Sequence, residues 1–333
     1  MSLSQPNLRP FASAEGTILG SAVLYRPFDA AALFVRAWDA VVRSVERARG
    51  RQGVSLILVD GAGRALAEAW IAASLDVVRA GVVGRHPACA LRVPEREKEI
   101  PLRYLVALVR AENNEDVSVR LIDLHTEHGF GDEAGRRLQA VRFSGSAFLA
   151  LGELHLLVLE PHKLELKDGP DKAYASIPAR VFREEEPGAY LAGPRLVRSP
   201  PGEADMTHVV SQLGPLAATA RLLGDDEPIR GQLTLGGLGM AVTRPVGLEA
   251  LRRGILIGRY SRCDVRTGAD APSLSRVHAI LVEERQEVLL VDTASSNGTW
   301  VEGRELSVVR LDRLGEAWLS SSQDGVGVQW DGA

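Results

Sequence analysis

Two long stretches of the chain, from residue 53 to 160 and from 230 to the end, place apolar residues in short runs of roughly four to seven positions. Gly, Asn, Asp and Pro break these runs, and many alternate apolar with polar. That pattern predicts strands closed by turns, and hence β-sandwich architecture, because no helical period survives inside either stretch. The helical period appears at the flanks. In "FDAAALFVRAWDAVVRSVERAR", residues 28 to 49, apolar positions recur every three or four residues, which predicts an amphipathic helix. Residues 161 to 229 are rich in Pro, Gly and charge ("KDGPDK", "REEEPG", "RSPPGEAD") and read as a linker with local structure. Within it "MTHVVSQLGPLAATARLL" predicts a short helix interrupted by Pro215. The expected order is an N-terminal extension with a helix (1–52), a β-sandwich (53–160), the linker (161–229) and a second β-sandwich (230–333), whose first strand falls near "GQLTLGGLGMAVT".

The two β stretches are copies of one unit. "GRHPACAL" (84–91) and "GRYSRCDV" (258–265) share Gly, Arg and Cys in one frame. At the same offset "IPLRYLVALV" lies over "LSRVHAILVE", pairing Pro101 with Ser275 and Tyr104 with His278. After a loop that is longer in the first copy, "VRLIDLHTEHGFGDEAGRRL" lies over "VLLVDTASSNGTWVEGREL". This pairs Asp123 with Asp292, Gly129 with Gly298, and Gly135-Arg136 with Gly303-Arg304. Gly145 and Gly315, then Phe148 and Trp318, continue the match into a final apolar strand. An ordered set of matches of this extent, interrupted by a loop of different length, marks a duplicated domain.

The second copy strongly resembles a forkhead-associated (FHA) domain. The resemblance rests on Gly258-Arg259, Cys263-Asp264, Ser275-Arg276-x-His278, Asp292, Ser296-Asn297-Gly298-Thr299 and Gly303, in the family's order and spacing. It implies a β-sandwich whose end loops bind phosphothreonine peptides, so the fold class expected is all-β with two FHA-type sandwiches. The chemistry agrees with the residues. A phosphothreonine carries about −1.5 to −2 charges and three strong acceptor oxygens, so a reader needs convergent donors on a rigid frame. Arg259 offers a guanidinium fork at the end of "ILIG"; Ser275 and Ser296 offer hydroxyls; Arg276 adds a second positive charge. By the resemblance, Asn297 holds the peptide backbone, while Gly258, His278, Asp292, Gly298 and Thr299 support the site. Arg262 and Arg304 lie on neighbouring turns, placed to touch peptide flanks.

The first copy keeps Gly84-Arg85 and loses the rest. Ser275 is replaced by Pro101, Arg276 by Leu102, His278 by Tyr104, Ser296 by Glu127 and Asn297 by His128. Proline has neither hydroxyl nor N–H to donate, and a carboxylate repels phosphate. The first domain is therefore expected not to read phosphate. It is expected instead to pack against a partner or against the second domain, through a sheet face or the helix at 28 to 49. His125, Glu127 and His128 lack a third ligand cluster, so they argue against a metal site.

Composition narrows the functional classes. The 333 residues are 45% hydrophobic and 25% charged with a net charge of −4, values of a globular protein without a field for nucleic acid. Arginine outnumbers lysine 35 to 4. Cys89 and Cys263 hold equivalent places, expected in two separate cores, which disfavours a disulfide between them. The N-terminus lacks the pattern of a signal peptide, and windows such as "AFLALGELHLLVLE" fall short of a membrane span, so a cytoplasmic location is expected. No Walker loop, kinase loop set, Gly-x-Ser-x-Gly elbow or zinc spacing occurs, so neither an enzyme nor a cofactor or metal site is expected. The function expected is a non-catalytic adaptor. Its second domain docks on phosphothreonine made by a Ser/Thr kinase, and the rest of the chain holds another protein. The alternative is an interaction or assembly module indifferent to phosphate, within a secretion or envelope-associated complex.

Overall fold

The computed structural model describes residues 25–126, 128–178, 181–182, 216–218, 222–224, 226–237, 240–267, 273–321 and 325–332. Four six-stranded sheets make two β-sandwiches with one shared strand order. In the first, the hairpin Gly53–Val59 and Ala65–Ala72 joins Leu154–Leu159, Ala147–Leu151 and the short hairpin Phe130–Gly131 and Arg137–Leu138 to form the outer sheet. Its inner sheet contains Leu91–Arg92, Arg79–Gly84, Leu105–Ala111, Val117–Asp123 and Ala140–Ser144. In the second sandwich, Ile229–Gly237 and Met240–Gly247 play the part of the first hairpin, and Val326–Gly332 the part of Leu154–Leu159. Its inner sheet runs Val265–Thr267, Ile255–Gly258, Ala279–Glu284, Glu287–Asp292 and Val308–Arg310. Each strand of the repeat has its counterpart, including the rare parallel pair Val83↔Leu91 and Ile257↔Val265.

The linker contributes to both sandwiches. Val181–Phe182 adds an antiparallel edge strand to Ala140–Ser144, and Leu216–Ala218 adds one to Val265–Thr267. The helix expected around Pro215 lies mostly outside the described residues; of its described residues, Leu216–Ala218 form a strand and 222–223 are not helical. The helix expected over 28–49 is two helices, Ala30–Arg36 and Trp38–Arg47, divided at Ala37. Asp29 caps the first, accepting from the Ala32 N–H at 3.0 Å. Leu33, Phe34, Ala37, Ala40 and Val41 bury their apolar face on Ile57, Val59, Phe148, Leu157 and Leu159. The helix Pro170–Ala175 joins the same layer through Ala173 and Tyr174. The amphipathic face proposed for a second protein is thus covered within the chain.

The two inner sheets pack face to face. Alternation along each strand explains how: Leu105, Ala107 and Val109 enter the first sandwich core, while Val106 and Leu108 point outward. Likewise Ala279 and Leu281 fill the second core, while Ile280 and Val282 point outward. The outward set, with Val82, Ile122, Leu124, Leu256, Val277, Leu289 and Val291, forms one buried apolar layer between the sandwiches. Cys89 and Cys263 belong to this same layer, not to two separate cores, and both are free thiols. Burial pushes their pKa values up to about 11 and about 12, so they behave as small apolar side chains.

Polar groups ring that layer. Arg142 makes a bidentate pair with Glu284, one arm at 2.8 Å. Arg120, fully buried, donates to the Glu283 carbonyl at 2.7 Å and to the Arg252 carbonyl, and lies 3.5 Å from Glu284. Arg110 pairs with Glu287 at 3.2 Å, and Arg285 with Glu112. These contacts lie toward the turn between Ala279–Glu284 and Glu287–Asp292. At the other end Arg262 donates to the Arg103 carbonyl at 3.0 Å, and His125 Nδ1 lies 3.3 Å from Asp264. The strands of the two inner sheets thus end together, and corresponding loops of both copies occupy the same end of the molecule.

Candidate functional site

Gly258 and Arg259 begin the site at the end of Ile255–Gly258. A Cβ on Gly258 would lie 2.5 Å from the Arg276 carbonyl oxygen, so the chain passes there only as glycine. Two backbone bonds lock the crossing: Arg259 N–H to Ser275 O at 3.3 Å and Tyr260 N–H to Arg276 O at 2.8 Å. The exposed Arg259 side chain donates from Nε to Leu274 O at 2.6 Å, which fixes the base of its fork and leaves the terminal nitrogens available.

His278 is buried behind these loops. The Ser275 N–H donates to its Nδ1 at 3.2 Å, and its Nε2 lies 3.0 Å from the Gly298 carbonyl. Only the neutral ring with its proton on Nε2 satisfies both partners. Desolvation pulls its pKa below 6.5, in agreement, although Asp292 at 3.9 Å opposes the shift. Asp292 organises the next loop: its carboxylate accepts from the Ser295 N–H at 2.7 Å, the Ser295 hydroxyl at 2.7 Å and the Thr299 hydroxyl at 2.9 Å. Gly298, with φ of 71°, donates its N–H to the Ser295 hydroxyl at 2.9 Å.

The loops meet at Ser275. Its buried hydroxyl accepts from the Ser296 N–H at 2.9 Å, and the hydroxyl proton remains able to donate. The Ser275 backbone N–H is engaged by His278. Arg276, Ser296 and Asn297 are exposed around it. The Asn297 side-chain amide donates from Nδ2 to Ser273 O at 2.6 Å, and the Asn297 backbone carbonyl accepts from Trp300 Nε1 at 2.7 Å. Arg259, Ser275, Arg276, Ser296 and Asn297 therefore converge on one end of the sandwich, with Gly258, His278, Asp292, Gly298 and Thr299 beneath them. Arg304 is exposed on the adjoining hairpin. Arg262 departs from the expectation: it is half-buried, turned onto the Tyr260 ring at 5.6 Å and bonded across to the first sandwich.

The first copy keeps the frame and fills the site differently. A Cβ on Gly84 would lie 2.3 Å from Leu102 O, and Arg85 Nε donates to Ile100 O as Arg259 does to Leu274 O. Cys89 and Cys263 each point Sγ at the matching carbonyl, Leu102 O at 3.5 Å and Arg276 O at 3.3 Å. Where His278 bridges to Gly298 O, the Tyr104 hydroxyl bridges to Gly129 O. Tyr25, from the N-terminal segment, joins it at 3.1 Å and also donates to Gly129 O at 2.8 Å. A neutral, buried phenol pair thus braces the loops, and burial raises the pKa of both hydroxyls. Leu102 is exposed, Pro101 and His128 are half-buried, and Glu127 lies outside the described residues. Among the described residues no group of three His, Cys, Asp or Glu side chains is arranged to hold a metal ion, and no helix is long and apolar enough to cross a membrane.

Residues 255–314 match the family model of the FHA domain. No curated protein matches the chain. Among solved structures, the first FHA domain of Rv1747 from Mycobacterium tuberculosis is 22% identical over 31% of this chain and 98% of its own, with a TM-score of 0.25. The FHA domain of CT664 from Chlamydia trachomatis is 21% identical over 32% of this chain and 97% of its own, with a TM-score of 0.27. The second sandwich is an FHA domain, preceded in the chain by a diverged copy of the same fold.

Proposed function

We propose that the chain is a non-catalytic adaptor whose second sandwich binds a phosphothreonine segment of a protein phosphorylated by a Ser/Thr kinase. The observation that carries this reading is that the exposed Arg259, its Nε held on Leu274 O, stands beside Ser275, whose buried hydroxyl takes the Ser296 N–H, with the exposed Arg276 next along the chain. Charge-assisted bonds from such a set suit the phosphate oxygens, and Asn297 stands beside them for the peptide backbone. Arg85, held in the same frame without serine or a second arginine beside it, is the built-in comparison.

The test uses the full chain, because separating the sandwiches would expose Leu256, Ile280, Val282, Leu289 and Val291. Degenerate peptide pools with a fixed phosphothreonine or a fixed threonine are titrated against wild type, Arg259→Ala, Ser275→Ala and Arg85→Ala. Wild type and Arg85→Ala should bind only the phosphorylated pool. Each substitution in the second copy should weaken binding by about tenfold or more, the worth of one bond to a charged group. Equal binding of both pools refutes the proposal and favours a phosphate-independent assembly module.

A further inference from the structure

The loop that carries Ser296 and Asn297 is held at its root by a side chain of the other sandwich. Arg103 is 5% exposed. Its Nε donates to Thr293 O at 2.7 Å and its Nη2 to Ala294 O at 2.7 Å. Those carbonyls belong to the two residues immediately before Ser295, at the point where Ala294 takes a left-handed φ of 61°. The Arg103 carbonyl in turn accepts from Arg262 Nη2 at 3.0 Å, so the contact runs in both directions between the sandwiches. In the repeat, Arg103 stands where the second copy has Val277, an apolar residue of the shared layer. The first copy has therefore placed a charged fork where the fold asks for a hydrocarbon.

A buried guanidinium is costly unless its N–H groups are satisfied. Here the two loop carbonyls accept from Nε and Nη2, and the planar fork fixes both at once. The loop is already tied to its own sandwich by Thr293 N–H to His278 O at 3.0 Å and Thr293 Oγ1 to Val277 O at 3.0 Å. Arg103 adds the constraint that comes from outside. A loop ordered before its ligand arrives loses less entropy on binding, which appears as affinity.

We propose that Arg103 is a positioning residue for the phosphothreonine site, and that the first sandwich serves as a built-in brace for the second copy's recognition loop. This inference rests on the adaptor reading for its functional consequence; its structural half stands independently.

The experiment compares wild type, Arg103→Met, Arg103→Lys and Arg285→Ala as full chains. The last breaks an interdomain ion pair at the opposite end of the same interface. Hydrogen exchange at the amides of residues 295–298 is read without peptide, and affinity is read with the phosphothreonine pool. In Arg103→Met the loop amides should exchange at least about tenfold faster and the pool should bind about tenfold more weakly, as expected for the loss of one charge-assisted bond. Arg103→Lys, which keeps the charge without the fork, should fall between, and Arg285→Ala should match wild type in both. The inference is overturned if the loop amides of Arg103→Met exchange as in wild type. It is equally overturned if amides of Val326–Gly332 accelerate as much as those of the loop, which would mark general destabilisation. If the loop responds but wild type binds no phosphorylated pool, the adaptor reading fails and the brace remains. If the loop responds and the pool binds Arg103→Met as tightly as wild type, the positioning role fails.

Discussion

Replacing Glu284 by glutamine tests whether the two sandwiches behave as one unit. The Glu284 side chain is 5% exposed and faces Arg120 and Arg142, at 1% and 12%. Arg120 keeps two backbone carbonyls if the charge is removed, whereas Arg142 loses its bidentate partner. Glutamine preserves the shape, so the effect isolates charge. Breaking a buried ion pair from one side costs about 3–5 kcal/mol. At about 2–4 °C per kcal/mol for domains of this scale, the melting transition should fall by at least about 6 °C. Scanning calorimetry of the full chain is the assay. Wild type should melt in one transition, and Glu284→Gln should melt lower or separate into two, since the interface is what joins the cooperative units. Arg92→Ala removes an exposed pair whose members are 50% and 75% accessible, and should change stability by no more than about 1 kcal/mol. The double variant Glu284→Gln, Arg142→Met should be less destabilised than the sum of its parts. A single transition within about 1 °C of wild type would refute the argument, because it would mean the buried charges are not coupled across the interface.

Two further outcomes follow from the second copy. His278 must be neutral to accept from the Ser275 N–H, and its folded pKa lies below the ordinary 6.5. Its contribution to stability is thus present above pH 6.5 and is lost as the pH falls through the lowered value. An NMR titration of the His278 ring should give a midpoint below 6.5, and a midpoint above that value refutes the neutral bridge. Gly258→Ala would drive a Cβ to 2.5 Å from the Arg276 carbonyl, where backbone must move, at a cost of about 1–3 kcal/mol. Denaturant unfolding should show the loss, and Gly84→Ala should show the same in the first copy, where the approach is 2.3 Å.

The residues that close the site were legible because each answers to a local demand. Gly258 is required by a carbonyl, Gly298 by a positive φ, and Asp292 by three donors in the next seven residues. Demands of this kind repeat in order along the chain, so the duplicated frame could be read from "GRHPACAL" and "GRYSRCDV". The helices at the N-terminus were legible as a period, though not their destination. What covers an apolar face is a long-range matter, and the helix that looked available for a partner is covered by Ile57, Val59 and Leu157 of its own domain. The interface carried a signal of another kind. In a sandwich with one solvated face, inner-sheet strands should alternate apolar and polar residues. Leu105–Ala111, Ala279–Glu284 and Glu287–Asp292 instead run apolar through both registers for several residues. Such runs mean burial on both faces, and two copies sharing the anomaly could bury it against each other. Arg103, Arg120 and Arg142 were not legible by the same reasoning. Each reads as a solvated charge on a strand or strand end, and only the geometry of the second sandwich supplies Thr293 O, Glu283 O and the Glu284 carboxylate that bury them. The frame of the site is thus written locally in each copy, while its support from the other sandwich depends on contacts between residues more than a hundred positions apart.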